Sequence, residues 1–116
     1  MHEGAIAESI VDILRDVKKD NDLEKITYVK LRVGIFSGVM VDALMFAIDA
    51  LKNEEDFIAD TKFEVEEVDV KARCVLCGRV YRFDKTTEVC FLCPQCNMPL
   101  EIESGKEMEI AVVEGE

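Results

Sequence analysis

Four of the five cysteines fall in two pairs of equal spacing, Cys74-Val-Leu-Cys77 and Cys93-Pro-Gln-Cys96. A C-x2-C turn lets both thiolates face one ion while neighbouring backbone amides stabilise the sulfurs. Gly78 and Asn97 follow the second cysteine of each pair, where such a turn favours a left-handed residue. Two such turns make a tetrahedral four-sulfur site, a structural Zn(II) pattern with no open position for water or substrate. Cys90-Phe-Leu-Cys93 has the same spacing and could replace the later pair. Cys93/Cys96 is preferred, because Pro94 suits the turn and Asn97 can take the glycine-like position. Cys90 is then a spare thiol, expected to be buried. Phe91 and Leu92 are expected to be strand residues leading into the turn.

The only histidine is His2, and the next residue is Glu3. A large second residue such as histidine is expected to leave Met1 in place. The amine of Met1, the backbone nitrogens of His2 and Glu3 and the imidazole then lie within chelating reach. Deprotonated amides combined with imidazole favour planar, strong-field coordination, which selects Ni(II) or Cu(II) over zinc. Glu3 could add a carboxylate, directly or by supporting a ligand. The plainer alternative is a frayed terminal histidine followed by an ordinary N-terminal helix charge.

Composition narrows the classes. The 116 residues carry a formal charge of −11, which repels phosphate backbones and argues against a nucleic-acid partner. Arg73, Arg79, Arg82 and Lys85, all close to the cysteines, are the one feature that favours such a partner. No apolar run is long enough for a transmembrane helix, so no membrane partner is expected. Glu3 and Glu8 stand where a signal peptide would carry lysine or arginine, so a cytoplasmic location is expected. In a reducing compartment five cysteines read as metal ligands or thiols before disulfides. There is no phosphate-binding G-x-x-x-x-G-K-[ST] motif and no Cys/His dyad, so no enzyme is expected.

The elements around these motifs follow from periodicity. Ile6, Ile10, Ile13, Leu14 and Val17 form the apolar stripe of a helix over 5–19, stopped by Asp20-Asn21-Asp22. Residues 26–36 alternate as a strand, with Val29, Leu31, Val33 and Ile35 on one face and Lys30 and Arg32 on the other. Residues 41–51 are apolar around much of the circumference and predict a buried helix. Residues 63–72 predict a second strand, with a bulge at Glu66-Glu67 where the alternation changes phase. Residues 108–113 predict a third. The expected fold is α+β: two helices on a three-stranded sheet, with an inserted zinc-ribbon-like domain built on four cysteines. The division is residues 1–72 plus 106–116 for the α+β domain and 73–105 for the insert. So short an insert cannot build its own core, and the metal is expected to supply most of its folding energy.

The Met1-His2-Glu3 start, Arg32-Val33-Gly34 and the paired C-x2-C insert with Cys93-Pro-Gln-Cys96 together resemble the HypA/HybF family of hydrogenase maturation nickel metallochaperones. The likeness covers length, element order and insert position. It implies transferable Ni(II) at Met1, His2 and Glu3 and structural Zn(II) at Cys74, Cys77, Cys93 and Cys96. It also implies delivery of nickel to the large subunit precursor of a NiFe hydrogenase, in cooperation with a HypB-type GTPase. Some relatives have histidines near the zinc cysteines. This chain has none there, so no such residue can assist with nickel. The rival reading is a zinc-ribbon module that contacts protein or nucleic acid and carries no transferable metal.

Overall fold

A computed structural model describes residues 2–116. Helix α1 spans Glu3–Asp20, strand β1 Ile26–Gly34 and helix α2 Val41–Lys52. A single 3-10 turn, Asp56–Ile58, leads into β2, Lys62–Val68. Then come β3 (Val70–Cys74), β4 (Val80–Phe83), β5 (Leu100–Ser104) and β6 (Met108–Gly115). The fold class is the expected mixed α+β, and it contains two three-stranded sheets.

In the first sheet β1 is central, parallel to β2 on one side and antiparallel to β6 on the other. The parallel pair requires a crossover, which α2 supplies. Val29, Leu31 and Val33 point to one face and meet Ala7, Ile10 and Leu14 of α1 and Leu44 and Ile48 of α2. Full burial of each larger side chain contributes roughly 1.5–3 kcal/mol. Lys30 and Arg32 occupy the other face, where Glu66 and Glu109 pair with them. Thr61, the one buried polar residue among those described, donates its hydroxyl to the Ile26 carbonyl at 2.5 Å.

Three expectations need correction. The run 63–72 is two strands in different sheets, not one bulged strand. Its change of phase is the departure at Asp69 from the first sheet into the second, whose order is β4-β3-β5. Helix α2 is not buried all round: Leu44 and Ile48 are buried, while Phe46 is 78% exposed. In α1 the buried set is Ala7, Ile10, Val11 and Leu14, so the stripe is rotated and Ile13 stands half exposed beside β6.

The chain passes between the sheets twice, at Asp69 and at Gly105–Glu107, and the end of β1 holds both crossings. The Gly34 amide donates to the Glu107 carbonyl at 2.7 Å, the Ile35 amide to Val68 at 3.0 Å and the Phe36 amide to Gly105 at 2.7 Å. A Cβ on Gly34 would lie 2.1 Å from the Gly105 carbonyl oxygen, so only glycine permits this approach.

Candidate metal centre

Cys74 is the last residue of β3, and Cys93 and Cys96 precede β5, so the pairing of β3 with β5 brings the two C-x2-C turns together. The turns repeat each other bond for bond. Gly78 donates its amide to the Cys74 carbonyl at 3.1 Å, and Asn97 donates to Cys93 at 2.8 Å. Cys74 in turn donates to Arg79 at 2.9 Å and Cys93 to Met98 at 2.8 Å. Gly78 at φ 75° and Asn97 at φ 55° take the left-handed conformation expected from their position.

The Sγ atoms of Cys74, Cys77, Cys93 and Cys96 all lie within 4.8 Å of one another. Those of Cys77 and Cys93 are 3.9 Å apart. Zinc–thiolate bonds place tetrahedral sulfurs about 3.8 Å apart, so this donor set fits a thiophilic, four-coordinate divalent cation. Cys90 is not in the group. It is exposed rather than buried, and its thiol donates to the Leu92 carbonyl at 3.2 Å. Phe91 and Leu92 are half exposed and form no named strand; Leu92 makes an isolated bridge to Pro99.

Two of the four thiols are lowered by their surroundings. The Leu76 and Cys77 amides reach the Cys74 sulfur, each at 3.4 Å. They hold its thiol below the ordinary value, the Cys77 amide contributing most. The Tyr81 hydroxyl lies 3.3 Å from the Cys93 sulfur and is the main reason that thiol falls to about 6. Tyr81 itself, held by Cys93, rises to about 12. Cys96 is pushed up to about 12, chiefly by its hydrogen bond with Cys77 and by burial among the other thiols.

Sequence spacing did not reveal Tyr81, because its approach depends on the β3–β4 register that sets it opposite Ala72. Arg73, read above only as a free cation, donates to the Gly78 carbonyl at 3.0 Å and to Glu103 at 2.6 Å. Lys85 likewise pairs with Glu67 at 2.8 Å. Of the four cations that favoured a phosphate partner, these two are therefore engaged within the chain.

The second expected site lies at the opposite end of the sequence. Met1 is outside the described residues, so only His2 and Glu3 can be placed. His2 is the N-cap of α1 and makes no side-chain capping bond; its carbonyl accepts the Ile6 amide at 3.1 Å. The first amides of a helix have no partner inside it, and here no capping side chain takes them. Glu3 is half-buried, and its carboxylate accepts the Met40 amide at the start of α2 at 3.4 Å. The cysteine cluster does not include His2 or Glu3.

Residues 1–115 match the family described as "HypA: Hydrogenase/urease nickel incorporation, metallochaperone, hypA". A hydrogenase maturation factor HypA from Roseiflexus sp. (strain RS-1) is 34% identical, covering 100% of this chain and 93% of the relative. The protein of that name from Chloroflexus aurantiacus (strain ATCC 29366 / DSM 635 / J-10-fl) is 35% identical over 98% of both. The solution structure of the Ni metallochaperone HypA from Helicobacter pylori superposes with a TM-score of 0.71, covering 99% of this chain and 97% of that one. Its sequence identity is 22%, so this likeness concerns the fold.

Proposed function

The chain belongs to the HypA family of hydrogenase/urease nickel-incorporation metallochaperones, and from that premise we propose where it carries its metals and to whom it passes one. Members of this family are maturation factors, not enzymes. Nickel is cargo, held by the His2 imidazole with backbone nitrogens of Met1, His2 and Glu3. Cys74, Cys77, Cys93 and Cys96 hold zinc as a structural ion, which neutralises their crowding and fixes the two turns. The recipient is the large subunit precursor of a NiFe hydrogenase, and a HypB-type GTPase cooperates in the cytoplasm. The inserted unit, residues 73–105 with β3 reaching back to Val70, is scaffold rather than nickel carrier.

One observation carries the nickel assignment. Helix α1 begins immediately after His2, leaving an uncapped imidazole beside amides that no helical carbonyl uses. That set suits a planar, strong-field ion, whereas the four sulfurs suit a tetrahedral one. The Glu3 carboxylate, bonded to Met40, ties the first turn of α1 to the start of α2, so the His2 imidazole can let its ion go without unravelling the core.

The test is His2→Ala in an untagged chain. Stoichiometric Ni(II) binding by titration calorimetry should disappear, while zinc content and the far-ultraviolet circular dichroism stay unchanged. Undiminished nickel affinity in that variant would sink the assignment.

A further inference from the structure

Strand β6 is an edge strand of the first sheet: β1 pairs with one side, and among the described residues no strand pairs with the other. Along that open side α1 stands away from the sheet and leaves a groove of about 500 Å3. Its walls are apolar, with Ala5, Ile6 and Ile13 on the helix and Met108 and Ile110 on the strand. Ile13 is 49% exposed although it continues the helix's apolar stripe. An apolar channel beside unpaired backbone groups is the geometry of strand addition, in which main-chain bonds hold an extended segment and pockets select alternate side chains.

Charge decides what can lie there. No lysine or arginine lines the groove. Asp16, and Asp12 with its partner Arg15, follow Ile13 and Ser9 by three residues on the adjoining face of α1. Glu109, paired with Arg32 on the far face of the sheet, borders the strand side, and Glu114 lies further along β6. A second copy would bring acidic rim against acidic rim, with a formal charge of −11 on each chain. In an antiparallel self-pairing centred on Glu109, that glutamate would also face its own copy, which is destabilising.

We infer that this groove receives an extended segment of a partner protein, with apolar side chains alternating with lysine or arginine, which adds a fourth strand beside Met108–Ile110. The added pairing is short, because β6 bulges at Ala111, where Lys30 pairs with Val112 but Leu31 pairs with Ile110. The apolar wall of α1 supplies the remaining contact. Ala5 and Ile6 lie within one helical turn of Glu3, so the docked segment runs beside the start of the chain. Reading its owner as the protein that gives or takes nickel rests on the nickel assignment above; the docking itself does not.

The probe is an acetylated peptide of about eight residues alternating lysine and isoleucine, titrated into the full 15N-labelled chain loaded with zinc. Amide resonances of residues 5–13 and 108–110 should shift, and outward amides of 108–110 should gain protection from hydrogen exchange. Ile13→Gln should weaken binding roughly tenfold, the loss expected when an apolar anchor goes. Phe46→Gln, an exposed apolar change on α2, should leave it unaltered. The same peptide with glutamate for lysine, or with a central proline, should bind at least as much more weakly. Shifts confined to Val75, Leu76 and Phe91 would overturn the proposal, as would equal binding of the proline peptide. So would a dimer by sedimentation that Ile13→Gln dissolves. His2→Ala separates the two readings: peptide binding without nickel leaves the groove standing and removes only the nickel site.

Discussion

At the residue scale, the cysteine cluster was largely legible because each turn is local. The spacing of Cys74/Cys77 and Cys93/Cys96 and the left-handed residues Gly78 and Asn97 are properties of short stretches of chain. Tyr81 was hidden because only strand register carries it to Cys93. Its hydroxyl has a testable consequence. Cys93 has its thiol lowered, so the stabilisation it confers is present above the ordinary thiol range and lost as pH falls through about 6. Tyr81→Phe removes the main cause, and the thiolate then takes up its proton at higher pH. Zinc affinity at neutral pH should drop roughly tenfold, the scale of one hydrogen bond to a charged group. The pH midpoint of zinc release, followed with a chromogenic chelator, should move upward; an unmoved midpoint would remove Tyr81 from the account. Among the cysteines, Cys93→Ser should release the metal. Cys90→Ser should keep it, since that thiol points to the Leu92 carbonyl.

At the element scale, periodicity found both helices and placed the first and last strands of the main sheet. It failed where two elements share one pattern. Residues 63–72 alternate in a way that any strand could, and alternation cannot say that the chain leaves one sheet at Asp69 and enters another at Val70. The same blindness assigned Ile13 to the core, because a helical stripe shows its width but not how far a neighbouring strand covers it. Arg32-Val33-Gly34 stood out in the sequence, yet the reason for its glycine lies in the join between the sheets. Gly34 admits the Gly105 carbonyl. Gly34→Ala must displace backbone, so it should destabilise the protein by about 1–3 kcal/mol, the usual cost of overpacking. Urea denaturation of the zinc-loaded chain measures this, and a change within error would show that the crossing can shift freely.

At the scale of the whole molecule, the chain is long for its size. Its radius of gyration is 17.6 Å and its extents are 55 × 26 × 18 Å. A compact domain of this length would have a radius of about 13 Å. The excess comes from the two sheets standing apart, joined by the β1 contacts, the Lys85–Glu67 pair and the Phe36 and Phe91 rings at 5.8 Å. The helix-covered sheet has a core of its own; the cysteine sheet buries little beyond Val70, Ala72, Cys74 and Cys93. A chain kept metal-free by a strong chelator should therefore lose the amide dispersion of residues 70–104, which added zinc restores, while that of β1, β2 and α2 persists. Simultaneous loss of both sets of resonances would show that the two sheets fold only as one unit.

The place of β6 beside β1 also sets an order of events during synthesis. On the ribosome, β1 emerges early and finds β2 after the α2 crossover, yet its other edge stays bare until residues 108–115 appear. The second cysteine turn precedes β6 only closely in the chain, so it emerges little ahead of that strand. The sheet that supports His2 is thus completed last, and its final strand is also the wall of the groove. A chain halted before β6 would have its cysteine turns, but neither a closed sheet behind α1 nor an edge to offer a partner.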